Sequence, residues 1–184
     1  MQSNIEIKAR VHDFAQTCRI AAALAGGPPR TLNQVDTFFP CANGRFKLRE
    51  LGSRAGELVF YQRPDMVGAK QSFYTIYRTA TPAALRETLV HALGAAIVVR
   101  KRRLLYLAGQ TRIHLDTVDG LGTFLELEVV LKPGQPAAQG RAIARDLMRK
   151  LKITKRDLIP CAYADLLLES AAPRARRPRG TVRT

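Results

Sequence analysis

Acidic residues are scarce in this chain. Its 184 residues include 30 lysines and arginines but only 15 aspartates and glutamates, so the formal net charge is +15. Five arginines and no acid fall within the last fifteen residues, and the first 169 residues still carry +10. Such an excess predicts an anionic partner, either a nucleic acid or a compact phosphate compound, and the charge balance alone does not choose between them.

Long apolar runs are also missing. No stretch approaches the roughly 18 consecutive apolar residues of a membrane-spanning helix. The N-terminus begins directly with a strand-like pattern, without the basic segment and apolar stretch of a secretory signal. We therefore expect a cytoplasmic protein that does not bind membranes.

Motifs of several common enzyme classes are absent too. The sequence contains no P-loop, no kinase signature and no nucleophile elbow, which excludes the commonest rival triphosphate sites. Its three cysteines, Cys18, Cys41 and Cys161, lie far apart and lack the spacing of metal ligands. We expect three reduced thiols without a functional role.

Strand patterns dominate what is present. Hydrophobic residues make up 46% of the chain, which is enough for the core of one globular domain. Hairpin turns are expected at Asn43-Gly44 and Asp119-Gly120, between segments with strand-like alternation. Helical patterns cover residues 13–25, 81–93, 139–151 and 161–169.

The order of these elements predicts the architecture. One strand, a helix, four strands, a second helix, about four strands and the last helices make an antiparallel α+β domain. We predict that its strands roll into a barrel over residues 1–169. Residues 170–184 are predicted to be a basic, disordered tail.

Polar side chains share one face on six of the predicted strands. On a single strand, this alternation usually marks a solvated sheet face. If helices cover the apolar outside of a barrel, however, all six polar faces line its interior. Charges confined there lose hydration, and a bound polyanion would compensate them. The residues are Glu6, Lys8 and Arg10; Arg45, Lys47 and Arg49; Tyr61 and Arg63; Lys101 and Arg103; Arg112, His114 and Asp116; Glu126 and Glu128.

The acids on these faces indicate a metal ion. Glu126 and Glu128 lie two residues apart on one strand and point the same way, so their charges repel unless a cation lies between them. Carboxylate oxygens suit Mg²⁺ or Mn²⁺. Glu6 and Asp116 are the candidates that complete the ligand set.

Several segments are similar to the CYTH family, the triphosphate tunnel metalloenzymes. They follow the family's order over about residues 3–169 and resemble the class IV adenylyl cyclase-like branch most closely. The most specific features are the N-terminal E-x-E-x-K signature and the distal E-x-E. The segments are NIEIKAR, VDTFF, NGRFKLRE, VVRKRR, RIHLDTVDGLGTFLELE and YADLL.

The resemblance implies an antiparallel tunnel of eight strands, with helices packed outside, that binds a triphosphate on basic side chains and divalent metals on acidic ones. Members of the family cyclise ATP to cyclic AMP, or hydrolyse thiamine triphosphate, tripolyphosphate or nucleoside triphosphates, and are often dimers. We therefore expect ATP or tripolyphosphate as the small-molecule partner and Mg²⁺ or Mn²⁺ as the cofactor. A homodimer is one alternative for the assembly.

The resemblance also implies roles for individual residues. The acids Glu6, Glu126 and Glu128 match metal ligands of the family, and Asp116 follows on the strand of Arg112. Three of the basic residues, Lys8, Lys101 and Arg103, are also the catalytic candidates. The full set of predicted phosphate-binding residues is Lys8, Lys47, Arg49, Arg63, Lys101, Arg103 and Arg112.

One position departs from the family signature. Asn4 stands where the first glutamate is usual, and it offers a neutral oxygen instead of a charge. Weaker metal binding, one-metal catalysis and lost activity all remain open, as does a frayed strand end in which Asn4 contacts nothing. His114 could shuttle a proton, but we expect it to fill space, and Tyr163 either packs or reaches the tunnel.

Three functions remain open. In an adenylate cyclase, the ribose 3′-hydroxyl attacks the α-phosphorus and pyrophosphate leaves, whereas in a triphosphatase water attacks the γ-phosphorus. The third is a non-catalytic module for RNA or polyphosphate, because the basic tail could hold nucleic acid weakly. The cyclase is our first hypothesis because the resemblance is closest to the cyclase-like branch. Interior acids count against the binding module, since they would repel a phosphate backbone unless a metal intervenes.

Overall fold

The computed structural model describes residues 1–95 and 97–171. Over these residues the chain forms eight strands and four helices. The strands are β1 (Gln2–Arg10), β2 (Arg30–Phe39), β3 (Arg45–Glu50), β4 (Gly56–Gln62), β5 (Lys70–Thr79), β6 (Ile97–Ala108), β7 (Thr111–Val118) and β8 (Gly122–Val130). The helices are α1 (Phe14–Ala25), α2 (Pro82–Leu93), α3 (Ala137–Lys150) and α4 (Tyr163–Ala171).

The eight strands close into one antiparallel barrel. Their order around it is β1-β5-β4-β3-β2-β6-β7-β8, and β8 pairs with β1 to complete the ring. The predicted turn between β7 and β8 is present, with Gly120 in the left-handed region at φ 75°. The α+β class and the eight-stranded barrel of the sequence analysis are therefore confirmed.

The helices begin and end close to the predicted positions. Helix α1 starts after Asp13, whose carboxylate accepts a hydrogen bond from the Gln16 backbone N–H at 2.8 Å, as an N-cap does. It ends at Gly26, which adopts φ 72°. Helix α3 starts two residues before the predicted range, and α4 is shifted two residues toward the C-terminus.

The hydrophobic core lies outside the barrel. Helix α3 packs on β1 and β8, and α1 packs on β6 and β7. Each fully buried Leu or Ile contributes about 1.5–3 kcal/mol to folding, so this layer holds the helices firmly. The buried residues of the layer are Ile5, Ile7, Ile113, Leu115, Leu125, Leu127 and Val129 from the barrel, with Ala21, Ala144, Leu147 and Leu151 from the helical side.

Helix α4 closes one end of the barrel. A second buried cluster packs there and consists of Phe38, Val99, Val118, Phe124, Ile159, Tyr163 and Ala164. Arg45 attaches the helix through a hydrogen bond to Asp165 at 2.7 Å. The segment before α4 is fixed as well, because Lys70 Nζ donates to the Pro160 carbonyl at 2.6 Å. We call this the closed end.

The first two residues of the predicted disordered tail, Ser170 and Ala171, belong to α4. The helix ends at Ala171, and residues 172–184 lie outside the described residues. Within residues 1–95 and 97–171, no helix is both long enough and apolar enough to cross a membrane.

Candidate active site in the barrel interior

A cavity of about 400 Å³ occupies the barrel, and every strand contributes to its wall. The side chains of alternate residues point into it, as on β1, where Asn4, Glu6 and Lys8 line the cavity while Ile5 and Ile7 are buried in the outer core. The polar faces predicted from the sequence are thus brought together inside. The predicted phosphate-binding residues on this wall are Lys8, Lys47, Arg49, Arg63, Lys101, Arg103 and Arg112.

Aromatic rings form the floor of the cavity at the closed end. The Lys8 ammonium lies 3.4 Å from the centroid of the Tyr163 ring, and the Lys101 ammonium lies 5.3 Å from it. The Lys47 ammonium lies 5.2 Å from the centroid of the Phe38 ring. Cations at such distances are attracted by the negative ring face, so the floor orients three lysines toward the cavity.

Asp36 organises part of the basic wall. Its carboxylate accepts two hydrogen bonds from Arg49, at 2.8 and 2.9 Å, and one from Lys47 at 2.8 Å. Lys101 donates a fourth at 3.2 Å. Burial would raise the pKa of Asp36, but the charges of these three neighbours outweigh it and hold the pKa well below its usual range. One carboxylate is shared by three cations, so positive charge remains for a ligand.

The same cluster makes Lys47 a weak base. Burial, together with the nearby charge of Arg49, lowers the pKa of Lys47 to about 7, although Asp36 opposes the change. Lys47 is therefore a wall lysine whose charge changes near neutral pH. Sequence reasoning missed Asp36; the alternation of Gln34, Asp36 and Phe38 on β2 was the available signal.

Glu126 is an acidic residue of the cavity that pairs directly with the basic residues of its wall. It forms ion pairs with Lys8 and Arg103 inside the barrel. Burial would raise the pKa of Glu126, but the charges of Lys8 and Arg103 hold it well below the usual range. Arg103 also donates two hydrogen bonds of 2.6 Å to Asp116, and the Tyr163 hydroxyl donates to the same carboxylate at 3.0 Å.

Glu126, Glu128 and His114 form a group that could hold a metal ion, and we call it the metal-binding group. One ligand atom from each of the three lies within 4.8 Å of the others. The Nδ1 atom of His114 is buried without a hydrogen-bond partner among the described residues, and it lies 3.8 Å from Glu126 and 3.7 Å from Glu128. An unsatisfied nitrogen between two carboxylates fits a bound divalent cation, which would accept all three as ligands.

The structure places the other two predicted metal ligands differently. Glu6 lines the cavity directly opposite Glu128 in the pairing of β1 with β8, and it accepts a hydrogen bond from Arg63 at 2.9 Å. Asp116 is fully buried beneath Arg103, which occupies both of its oxygens, and it lies outside the group of Glu126, Glu128 and His114. His114, which we expected only to fill space, lies beside Glu126 and Glu128 instead.

Two arginines predicted on the polar faces lie beyond the cavity. Arg10 is exposed, and its guanidinium lies 5.2 Å from the centroid of the Phe124 ring. Arg45 binds Asp65 and Asp165 at the closed end. Strands β1 and β3 extend past the floor of the cavity. The alternation of polar and apolar side chains therefore continues where the cavity has already ended.

Asn4 lies in the tunnel wall. It belongs to β1, is 5% exposed and lines the cavity, which rules out a frayed strand end. Its Oδ1 atom is buried without a hydrogen-bond partner among the described residues. Asn4 and Glu6 are alternate residues on β1, so the amide is the next inward group along the strand from a carboxylate of the site.

The opposite end of the cavity is open and partly aliphatic, and we call it the mouth. Two exposed arginines, Arg30 and Arg78, stand at its edge. The Arg112 side chain is 41% exposed and reaches toward Glu128, with 3.4 Å between the paired atoms. The aliphatic residues that line this end are Leu32, Leu51, Ile76 and Leu105.

Solved structures with this fold are known. The PH1012 protein from Pyrococcus horikoshii OT3 superposes with a TM-score of 0.78 at 23% identity, over 89% of this chain and 98% of that one. A proposed adenylate cyclase from Vibrio parahaemolyticus superposes with a TM-score of 0.70 at 16% identity, over 91% of this chain and 98% of that one. HpAC1 from Hippeastrum, a proposed adenylyl cyclase with a dominant triphosphatase activity, superposes with a TM-score of 0.62 at 15% identity. The match covers 92% of this chain and 96% of that one.

At these identities, the three structures establish a shared fold. No curated protein matches the sequence. The sequence model of the CYTH domain, however, matches residues 2–163, which include every strand of the barrel and both glutamates of the metal-binding group. The chain therefore belongs to the CYTH family.

Proposed function

We propose that this protein is a divalent-metal-dependent enzyme that acts on a triphosphate inside the barrel. The observation that carries the proposal is the acidic group around Glu126 and Glu128, which shares one cavity with a wall of lysines and arginines. Carboxylates repel a polyphosphate unless a cation mediates, whereas the basic wall attracts it. A metal-bound polyphosphate satisfies both halves of the site.

The basic wall would hold the phosphate oxygens. A triphosphate carries roughly four negative charges, and cations fixed in advance are usually the largest source of rate enhancement in phosphoryl transfer. Arg49 and Arg63 would each grip oxygens with two N–H groups. Lys8, Lys101 and Arg103 lie deepest and would stabilise the charge that develops on the phosphates during reaction.

The metal would bind to Glu126 and Glu128, with Glu6 facing them and His114 as a nitrogen donor. Bound there, Mg²⁺ or Mn²⁺ would polarise a phosphoryl oxygen as a Lewis acid. The nitrogen donor favours Mn²⁺, because Mg²⁺ binds oxygen almost exclusively. Asp116 supports Arg103 in this scheme, since its two oxygens fix the guanidinium beside Glu126.

Adenylate cyclisation is the first candidate reaction. The aliphatic mouth next to the polar interior suits a substrate with an organic group attached to its triphosphate, as in ATP. Hydrolysis is the second candidate, supported by the shared fold with HpAC1 and its dominant triphosphatase activity. The same wall would serve water at the γ-phosphorus or a ribose hydroxyl at the α-phosphorus.

A product analysis tests the proposal. The protein is incubated with Mg²⁺ or Mn²⁺ and, separately, ATP, GTP, thiamine triphosphate or tripolyphosphate, and the products are resolved by chromatography. Cyclic AMP with pyrophosphate supports the cyclase, and orthophosphate with a diphosphate supports the triphosphatase. Tight binding of polyphosphate or RNA without any turnover would instead support the binding module.

A further inference from the structure

We propose that Glu57 is a specificity-determining residue that accepts a hydrogen bond from the sugar of a ribonucleoside triphosphate. The inference rests on the proposed function and names the substrate class within it. Among the acids that line the cavity in the described part of the chain, Glu57 is the one that the proposed mechanism leaves unused. The others are Glu6, Asp36, Glu126 and Glu128.

Glu57 lies where the basic wall meets the aliphatic mouth. It lines the cavity from β4, and the strand pairings place it between Arg49 of β3 and Arg78 of β5. Arg49 is a predicted phosphate-binding residue, whereas Arg78 stands at the edge of the mouth. Leu51 and Ile76, each two residues from one of these arginines on the chain, line the cavity as well. A carboxylate at this level faces the junction between a triphosphate and its organic group.

The Glu57 carboxylate is available to a ligand. Within residues 1–95 and 97–171 it forms no hydrogen bond, and its ion pair with Arg78 spans 3.7 Å. The Arg78 side chain is 82% exposed, and such pairs hold their partners weakly because water competes for both charges. Arg49, the neighbour on the other side, donates its hydrogen bonds to Asp36 instead.

An acid at this level selects against a bare phosphate chain. An ionised carboxylate accepts hydrogen bonds but donates none, and it repels phosphate oxygens. Ionised tripolyphosphate offers it no donor, whereas ribose carries hydroxyl groups at its 2′ and 3′ positions. A carboxylate binds a ribose hydroxyl in this way in dinucleotide-binding enzymes. Because the sugar is the first organic group after the phosphates, it is the part of a nucleotide that reaches Glu57, and the aliphatic mouth is left for the base.

Nucleotides with altered sugars give the first test. Calorimetry with Mn²⁺ measures the affinity of the wild-type protein for ATP, 2′,3′-dideoxy-ATP and tripolyphosphate. Binding is the readout, because dideoxy-ATP lacks the hydroxyl that a cyclase would use. We expect ATP to bind about tenfold more tightly than dideoxy-ATP, since the latter loses a hydrogen bond to a charged acceptor. Equal affinities for these two nucleotides would overturn the inference.

Substitutions assign the preference to Glu57. Glu57→Leu removes the acceptor, and we expect it to bind ATP about tenfold more weakly and to lose the preference for ATP over dideoxy-ATP. It should bind tripolyphosphate as tightly as the wild type does, or up to about threefold more tightly, because a repelling charge is gone. Glu57→Gln keeps a neutral acceptor and should lie between the wild type and Glu57→Leu for ATP.

Glu50→Gln is the matched control for Glu57→Gln, because it removes a charge from the outer face of β3, where Glu50 pairs with Arg86. It should keep the wild-type preference for ATP over dideoxy-ATP. Tighter binding of all three ligands by Glu57→Leu would show that Glu57 only repels phosphate, and unchanged affinities would show that it does not contact the sugar; either result overturns the inference and leaves the triphosphate site intact. Failure of the wild type to bind both ATP and tripolyphosphate would overturn the proposed function itself.

Discussion

Glu126 is the residue through which the two halves of the site interact. It accepts hydrogen bonds from Lys8 and Arg103 on one side, and it shares the metal-binding group with His114 and Glu128 on the other. The two cations keep its pKa low, so it remains a carboxylate at neutral pH despite burial. A side chain that is paired in this way is charged and oriented before any ligand binds.

Removing a carboxylate of this group should stop metal-dependent turnover. For Glu128→Gln we expect kcat to fall roughly a hundredfold, about 2.7 kcal/mol, because a metal ligand is lost while the amide keeps the shape. Glu126→Gln should lose activity as well, and its melting temperature should fall because Lys8 and Arg103 lose their buried partner. Steady-state kinetics and thermal unfolding measure both effects.

Glu50→Gln is the control for these variants, because Glu50 lies on the outside of β3 and pairs with Arg86 at 3.2 Å. It should resemble the wild type in both assays. Full activity in both Glu126→Gln and Glu128→Gln would disprove the metal assignment.

Asn4 offers a gain-of-function test. Its buried, unpartnered oxygen lies on the cavity wall one alternation from Glu6. We expect Asn4→Glu to tighten Mn²⁺ about tenfold, on the order of 1.4 kcal/mol, since a carboxylate replaces a neutral oxygen. Asn4→Gln has the same length without the charge and should bind as the wild type does. If Mn²⁺ titrations cannot distinguish Asn4→Glu from Asn4→Gln, this position lies outside the metal site.

Lys47 should make phosphate binding sensitive to pH. Because burial and Arg49 lower its pKa to about 7, Lys47 loses its proton in the free protein as the pH rises through 7. A bound anion favours the ammonium form, so binding of tripolyphosphate above pH 7 should take up a proton and weaken with increasing pH.

Calorimetry in buffers of different ionisation enthalpy measures this proton uptake. Lys47→Arg keeps its charge at every pH used and should lose the part of the uptake that belongs to Lys47. Protons taken up by the ligand itself contribute equally in the wild type and in Lys47→Arg, so they cancel when the two proteins are compared. Identical proton uptake in the two proteins would contradict the role of Lys47.

At the scale of the elements, strand alternation predicted which residues share a face of a strand, but not which residues lie beside each other on neighbouring strands. The period of two places Arg112, His114 and Asp116 on one face of β7, as the structure confirms. Which of them meets the glutamates depends on the register with β8, where His114 lies opposite Glu126 and Asp116 lies opposite Phe124. Register arises from pairing between distant segments, so the sequence pattern gave the right strand but put Asp116 instead of His114 beside the glutamates.

Helix α3 depends on a close approach to the barrel at Gly140. A Cβ atom there would lie 2.6 Å from Leu131 and 2.7 Å from Ile5, both in side chains packed in the outer core. We expect Gly140→Ala to destabilise the fold by about 1–3 kcal/mol, although alanine is the better helix former by about 1 kcal/mol. Denaturant unfolding gives the change directly.

Gly27→Ala is the matched control, because a Cβ at Gly27 meets nothing within 4 Å. It should be neutral or slightly stabilising. Equal stability of Gly140→Ala and the wild type would mean that α3 can move away from β1 at little cost.

At the scale of the whole molecule, the protein places its apolar core outside and its charges inside. A barrel of eight strands has an interior just wide enough for side chains or one small ligand. Helices on the outer face supply the burial that stabilises the fold, so the inner face can carry lysines, arginines and carboxylates. This division was predictable from the polar faces of many strands taken together. The closed end was not, because it depends on how α4 docks after the last strand.

A crystal structure with Mn²⁺ and tripolyphosphate would show whether the barrel binds both together, since anomalous scattering locates the metal and electron density locates the phosphates. We expect an Mn²⁺ peak between Glu126 and Glu128, within roughly 2.2 Å of their oxygens, and a phosphate chain along the basic wall. Phosphate bound only on the outer surface, with no Mn²⁺ peak in the barrel, would contradict this expectation.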